Sequence, residues 1–120
     1  MKLSEIRDIL DADVLVGDEF LDREVYSAFG SDLMSDVLAF INEKTILLTG
    51  LTNPQVIRTA EVADLFAIVF VRGKMPSKDL LDLALEKDIA IMTTEYTLYT
   101  TSGKLYENGL RGVMIEGVLR

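Results

Sequence analysis

Continuously apolar runs of strand length alternate with segments of helical periodicity over most of the chain. The runs at 44–50, 65–73 and 88–95 are rich in β-branched residues and are typical of strands buried on both faces of a sheet. After each run, apolar residues recur every three or four positions, which predicts an amphipathic helix. From Lys44 to Leu110 the predicted order is therefore strand, helix, strand, helix, strand, helix.

The amino-terminal part carries a shorter version of the same pattern. Apolar residues at helical spacing predict a first helix at 4–10, with Ser4 as its N-cap. Short runs at 12–17 and 25–29 predict two further strands. A helix at about 32–41 follows, because its apolar positions again repeat at helical spacing.

Capping residues mark where several of these helices begin. Asn53 directly before Pro54 is typical of a helix start, because asparagine caps well and proline is tolerated at the first helical position. Pro76-Ser77 marks a second start, and a last helix is predicted at 97–107.

These elements predict one α/β domain over residues 1–120, with a core at 2–110 and a carboxyl tail at 111–120. Continuous apolar strands that alternate with helices indicate a mostly parallel sheet of about five strands with helices on both faces. Connections of this kind are right-handed. The tail could add an edge strand or pair with another subunit.

Composition narrows the function classes. The chain of 120 residues has no cysteine and no histidine, which excludes thiol catalysis, disulfides, Cys-ligated zinc and a histidine base. A formal net charge of −8 argues against nucleic acid as a partner, since binding a phosphate backbone requires a basic face. The charged amino terminus is not a signal peptide, and no apolar run approaches the ~20 residues of a membrane span. We therefore expect a cytoplasmic domain without a cofactor.

Polar turns follow three of the predicted strands. The carboxyl ends of parallel strands meet at one edge of a sheet, where ligands bind and helix N-termini point, so these turns are expected to converge there. Such an edge suits a phosphate or a nucleotide. The candidate ligand-binding residues are Ser31, Asp32, Thr49, Gly50, Thr52, Asn53, Thr93 and Thr94.

Each of these residues also has a purely structural interpretation. Ser31 and Asp32 are preferred capping residues, as are Asn53 and either Thr94 or Thr97. The turn after Gly50 is not a Walker loop, because no Gly-Lys-Ser/Thr follows it. Capping is therefore the favoured interpretation for any single position, and only the three turns together favour a site.

Three further features leave alternatives open. Asp32 and Asp36 lie four residues apart and could share a magnesium ion, but a cap next to a solvated carboxylate is the simpler interpretation. Asp22-Arg23 could form an ion pair that holds its connector. Tyr99 and Tyr106 share a helix face and could stack on a base, although tyrosines at this spacing more often pack against a core or a subunit interface.

Four segments of the chain together resemble the DRTGG domain, a family named for its signature. They are "DREVYSAFGSDLMSDVLAF", "LLTGLTNPQVIRTAE", "AIVFVRGKMPS" and "IMTTEYTLYTTSGKLYENGL". The resemblance covers nearly the whole chain and is strongest to small stand-alone members in anaerobic bacteria, which tend to be encoded near iron-only hydrogenase components. Larger relatives join the domain to CBS-containing pyrophosphatases and to phosphotransacetylases, and the amino-terminal domain of HPr kinase/phosphorylase is similar in fold.

The match to the signature is partial. Asp22 and Arg23 match it, and Ser35 and Asp36 belong to a matching "DLLSD"-like continuation, whereas Ser27-Ala28 replace the expected paired glycines. A ligand or backbone that approached those glycines closely would here have to bind differently.

The resemblance implies an α/β fold, a homodimer, and a regulatory or ligand-sensing role without catalysis. Our first hypothesis is thus a non-catalytic domain that binds a nucleotide or another phosphorylated small molecule at the strand ends. The second is an accessory module that binds a redox enzyme of the hydrogenase type. A magnesium-dependent phosphate transfer based on Asp32 and Asp36 is the third.

Overall fold

The computed structural model describes residues 1–41 and 44–114. One five-stranded sheet has the strand order β1-β5-β4-β3-β2, in which β1 is antiparallel to β5 and the other neighbours are parallel. The predicted fold class, an α/β domain with a mostly parallel sheet, is confirmed. The strands are β1 (Asp13–Val16), β2 (Ser27–Gly30), β3 (Thr45–Thr49), β4 (Ala67–Phe70) and β5 (Ala90–Thr93).

Within residues 1–41 and 44–114, five α-helices cover the two faces of this sheet. The first and last pack together on one face, and the other three pack side by side on the opposite face. The helices are α1 (Leu3–Leu10), α2 (Met34–Phe40), α3 (Gln55–Val62), α4 (Lys78–Glu86) and α5 (Leu98–Glu107). None of the helices in the described part of the chain is both long and apolar enough to span a membrane.

The three central strands explain the continuous apolar runs of the sequence. Every residue of β3, β4 and β5 is buried, because successive side chains point to opposite faces and both faces carry helices. In β4, for example, Val69 contributes to the core beneath α1 and α5, whereas Ile68 and Phe70 contribute to the core beneath α2, α3 and α4.

The described part of the tail lies beside edge strand β2. The amide of Ala28 donates to the carbonyl of Arg111 at 2.9 Å, and the amide of Val113 donates to the carbonyl of Ala28 at 3.2 Å. The edge strand that the sequence offered as one alternative is therefore not formed in this stretch, where Gly112 pairs with Ala28 through an isolated bridge. The remainder, at 115–120, lies outside the described residues.

The predicted helix start at Ser77 and the predicted cap Thr97 are confirmed, whereas the predicted cap Ser4 is wrong. The hydroxyls of Ser77 and Thr97 accept hydrogen bonds from amides in the first turns of α4 and α5. Ser4, however, lies inside α1, which begins one residue earlier. The Glu5 carboxylate accepts a hydrogen bond from the Lys2 amide at 3.1 Å, so the helix start is held by a residue within the first turn.

Candidate functional site

The carboxyl ends of β2, β3, β4 and β5 form one edge of the molecule. Because these strands are parallel neighbours, the loops that follow them are adjacent. Three of the four loops carry the residues predicted as ligands, and the fourth, after β4, does not. The geometry shows which of these side chains have free hydrogen-bonding groups.

Asp32 joins the loop after β2 to the end of β3. Its Oδ1 accepts hydrogen bonds from Thr49 Oγ1 and from the Gly50 amide, both at 2.8 Å. The predicted role of Asp32 as a helix cap is wrong, because α2 begins later, after Leu33, and the carboxylate turns instead to two donors on the neighbouring strand. Hydrogen bonds to a carboxylate are stronger than those between neutral groups, which fixes this orientation.

Ser31, Thr52 and Asn53 surround this contact without joining it. Ser31 Oγ accepts a hydrogen bond from the Leu33 amide at 3.0 Å, which shapes the turn before α2. Asn53 Oδ1 accepts one from the Gln55 amide at 3.0 Å. The predicted helix start, with Asn53 as N-cap and Pro54 in the first helical position, lies one residue too early, because Pro54 is the N-cap and α3 begins at Gln55. Thr52 is half-buried. Local turn geometry therefore accounts for the polar atoms of Ser31 and Asn53.

Ser35 and Asp36 lie in the first turn of α2, where Ser35 is exposed and Asp36 is half-buried. Within the part of the chain that the structure describes, no group of three acidic side chains is placed to hold a metal ion.

Thr93 and Thr94 use their hydroxyls inside the protein. Both side chains are buried. Thr93 donates to the carbonyl of Lys74 at 2.9 Å, and Thr94 donates to the carbonyl of Leu10 at 2.7 Å. These two predicted ligand residues thus tie β5 to its neighbours, and only Asp32, Thr49 and Gly50 of the predicted set come into direct contact.

The loop after β4 contributes a tight turn that the sequence analysis did not single out. The Lys74 amide donates to the carbonyl of Val71 at 3.2 Å, and the central residues Arg72 and Gly73 have φ angles of 58° and 64°. Two positive φ angles in succession are typical of a type I′ turn. The turn is anchored to the loop after β5, because the amides of Arg72 and Gly73 donate to carbonyls there at 2.8 Å each.

This turn places the Arg72 guanidinium over Gly50. A Cβ added at Gly50 would lie 3.1 Å from Arg72 Nη2 and 3.7 Å from Asp32 Oδ2. The Arg72 side chain is exposed, and among the residues that the structure describes it forms no ion pair. The edge thus presents an unpaired cation next to a fixed carboxylate.

A sequence signal for Arg72 does exist. "VRGK" directly follows the most hydrophobic strand, and an Arg-Gly pair at the end of a central parallel strand lies at the ligand edge. Lys74, the next cation, is also exposed. The Glu95 carboxylate packs against Gly73 on the other side of the turn.

The family profile of the DRTGG domain matches residues 5–107. This chain belongs to the DRTGG domain family. A search of the curated proteins finds no similar sequence.

A solved structure with the same fold is that of the CBS and DRTGG domains from the regulatory region of Clostridium perfringens pyrophosphatase, complexed with its activator, diadenosine tetraphosphate. The TM-score is 0.71 at 19% sequence identity, and the match covers 98% of this chain and 52% of that one. This DRTGG domain therefore spans about half the length of the solved chain.

Arg23, which the sequence resemblance predicts to belong to the family signature, lies at the opposite edge of the sheet. The Arg23 guanidinium stacks 3.6 Å from the centre of the Phe20 ring, and its Nη1 donates to the carbonyls of Phe66 at 3.1 Å and Asp88 at 2.6 Å. These carbonyls precede the amino ends of β4 and β5. The predicted ion pair with Asp22 is wrong, because the two carbonyls and the ring bind the guanidinium instead.

Burial explains the shift in the pKa of the Arg23 side chain. Desolvation lowers the pKa of Arg23 from its ordinary value, and the negative charges of Asp88 and Glu19 partly offset that effect. Arginine titrates so far above neutrality that the side chain stays charged. Arg23 is therefore a cross-link between the connector before β2 and two central strands.

The positions of the expected paired glycines lie within β2. Ser27 Oγ and Thr45 Oγ1 share a hydrogen bond of 2.8 Å across β2 and β3, and Ala28 pairs with the tail through both of its backbone groups. Ser27 therefore links β2 to β3, and Ala28 links β2 to the tail.

The tyrosines of α5 face solvent. Tyr99 is 89% exposed and Tyr106 is 58% exposed, so neither packs into the core of this chain. With Ser102, Gly103 and Glu107 they line an open groove of about 360 Å³, called here the tyrosine face.

Proposed function

We propose that this DRTGG domain is a non-catalytic regulatory domain that binds a nucleotide or another phosphorylated small molecule at the carboxyl edge of its sheet. The observation that carries the proposal is the exposed Arg72 guanidinium over Gly50. Arginine is well suited to phosphate, because its planar group offers several N–H donors to the oxygens.

The backbone at Arg72 supports a role for this side chain. A residue with a Cβ at a left-handed φ of 58° costs roughly 1 kcal/mol, and glycine or asparagine is the usual choice for such a turn. The turn is held by hydrogen bonds from the Arg72 and Gly73 amides to the loop after β5, so the backbone that carries the Arg72 side chain is fixed before a ligand arrives. Preorganisation of this kind reduces the entropy lost on binding.

The pyrophosphatase regulatory region supports the class of ligand, since that protein was captured with a dinucleotide activator. A regulatory rather than an enzymatic role also agrees with the chemistry of the edge. Histidine and cysteine are absent from the sequence, and the hydroxyls of Thr49, Thr93 and Thr94 all donate to acceptors within the protein.

Calorimetric titration with AMP, ATP and diadenosine tetraphosphate tests this proposal. We expect at least one of them to bind and Arg72→Ala to weaken that binding by about tenfold or more, the value of a charged hydrogen bond. Lys44→Ala is a matched control, because Lys44 is also exposed, has a φ of 59° and lies at the amino end of β3. Absence of heat with all three ligands at high protein concentration would refute the binding claim.

A second candidate function is protein docking, and the tyrosine face favours it. Exposed tyrosines with an apolar body and a polar tip are enriched at protein interfaces. We propose that this face forms a two-fold homodimer, the commonest symmetric assembly, in the cytoplasm. A redox enzyme partner remains a prediction from the sequence, because neither the family match nor the solved structure reported above concerns a redox protein.

Sedimentation velocity at micromolar concentration tests the dimer. We expect a species of twice the chain mass, and Tyr99→Lys should shift it toward monomer. Tyr26→Lys is the matched control, since Tyr26 is 64% exposed and precedes β2. A monomer in the wild type would contradict self-association and leave docking to a different protein, which co-purification would detect.

A further inference from the structure

The carboxylate of Asp32 has one oxygen engaged and one free. Oδ1 accepts both hydrogen bonds from β3 and the following residue, whereas Oδ2 has no hydrogen-bond partner among the described residues. Two bonds to one oxygen fix the plane of the carboxylate, so the position of Oδ2 follows from that of Oδ1. Because the Asp32 side chain is exposed, this second oxygen is available to a ligand.

Asp32 Oδ2 and Arg72 Nη2 both border the space next to Gly50. Both atoms lie within 4 Å of the point where a Cβ at Gly50 would be, yet the two side chains form no ion pair in the part of the chain that the structure describes. A group that binds next to Gly50 therefore meets N–H donors of Arg72 and the carboxylate acceptor of Asp32 together.

This arrangement disfavours a bare phosphate. A carboxylate so close to the bound anion repels it, unless the ligand also supplies a hydrogen to that carboxylate. A sugar hydroxyl does so, and acidic side chains bind ribose hydroxyls in other nucleotide sites for the same reason. A compound that carries both a phosphate and a hydroxyl thus satisfies both sides.

We propose that the ligand is a ribonucleotide whose phosphate binds Arg72 and whose ribose hydroxyl donates to Asp32 Oδ2. The inference rests on the proposed function, because it requires that Arg72 binds phosphate. Arg72 then supplies affinity for the anion, and Asp32 selects nucleotides against inorganic phosphates.

The test compares three probes by calorimetry in EDTA: ATP, 2′,3′-dideoxy-ATP and inorganic tripolyphosphate. We expect the wild type to bind ATP about tenfold more tightly than either of the others, the value of one hydrogen bond to a charged group. EDTA excludes a magnesium ion that bridges Asp32 and phosphate. An ATP preference that appears only with added magnesium would overturn the inference in favour of a cation at Asp32.

Asp32→Asn provides the second arm, since asparagine keeps an oxygen for Thr49 and Gly50 and replaces Oδ2 by an amide nitrogen. The variant should bind ATP no more tightly than it binds dideoxy-ATP. It should bind tripolyphosphate at least as tightly as the wild type does. Equal loss for all three probes, or no ATP preference in the wild type, refutes the role of Asp32. The proposed function fails separately, if Arg72→Ala leaves tripolyphosphate binding unchanged or if none of the probes binds.

Discussion

Arg23 and Arg72 carry the same guanidinium group, but the two side chains have opposite surroundings. Arg23 is half-buried, and its guanidinium stacks on the Phe20 ring and donates to two backbone carbonyls. Arg72 is exposed, and its backbone rather than its side chain is bound by neighbouring loops. The first therefore stabilises the fold, and the second is available for a ligand.

Arg23→Ala should destabilise the domain by about 2–4 kcal/mol, since it removes two charge-assisted hydrogen bonds and a stacked ring contact. Urea denaturation monitored by circular dichroism measures the change. Arg7→Ala is the control, because within the described residues the ion pair of Arg7 is with the adjacent Asp8 on the surface, so the substitution should change stability by about 0.5 kcal/mol or less. An Arg23→Ala protein as stable as this control would contradict the stabilising role of Arg23.

Gly50→Ala should weaken tripolyphosphate binding several-fold while the domain stays folded. The φ of Gly50 lies outside the left-handed region, so alanine fits the backbone, but its Cβ would come within 3.1 Å of Arg72 Nη2 and push the guanidinium aside. Gly103→Ala is the control, because a Cβ there meets open space on α5. Calorimetry that shows the same affinity in both variants would show that the position of Arg72 over Gly50 is unimportant.

At the scale of elements, local signals predict some helix starts and tertiary partners decide others. Ser77 and Thr97 cap their helices as the sequence indicates, because the cap and the amide that it accepts from lie three residues apart. Asp32 resembles a cap equally well, but its partners are the last residue of β3 and the residue after it, 17 and 18 positions further along the chain. A local sequence pattern includes the amide that Ser77 or Thr97 caps, but it does not include the distant partners of Asp32.

Ser77→Ala should lower the free energy of unfolding by about 1 kcal/mol, because it removes the hydroxyl that accepts from the Leu80 amide at 3.2 Å. Ser4→Ala is the contrast, since Ser4 lies within α1 and alanine is a better helix former. Thermal or urea unfolding distinguishes the two. A larger loss of unfolding free energy for Ser4→Ala than for Ser77→Ala would contradict the position of Ser4 inside α1.

At the scale of the whole molecule, the mostly parallel sheet was predictable, whereas the strand order and the antiparallel β1 were not predicted, and the residues available at the ligand edge were predicted only in part. Apolar runs buried on both faces identify β3, β4 and β5, and the parallel arrangement places their following loops at one edge. The loop after β4 was missed, because its helix begins several residues later and the intervening Arg72 carries no capping signal.

Thr93 and Thr94 were predicted as ligand residues, but the structure shows that their hydroxyls are already bound. They lie at the predicted edge, yet their hydroxyls are bound to the carbonyls of Lys74 and Leu10. The acceptor for Thr94 is 84 residues away in the chain, so the sequence around it gives no indication that the hydroxyl is already bound. Location at the edge is a property of topology, whereas availability to a ligand depends on packing.

Chemical-shift mapping of the ¹⁵N-labelled domain during a titration with ATP tests the central claim most directly. Binding at the carboxyl edge predicts the largest and saturable shifts at the backbone amides of Gly50, Arg72 and Gly73, with the same residues unaffected in Arg72→Ala. Shifts confined to the tyrosine face of α5, or no shifts at millimolar ATP, would contradict ligand binding at this edge.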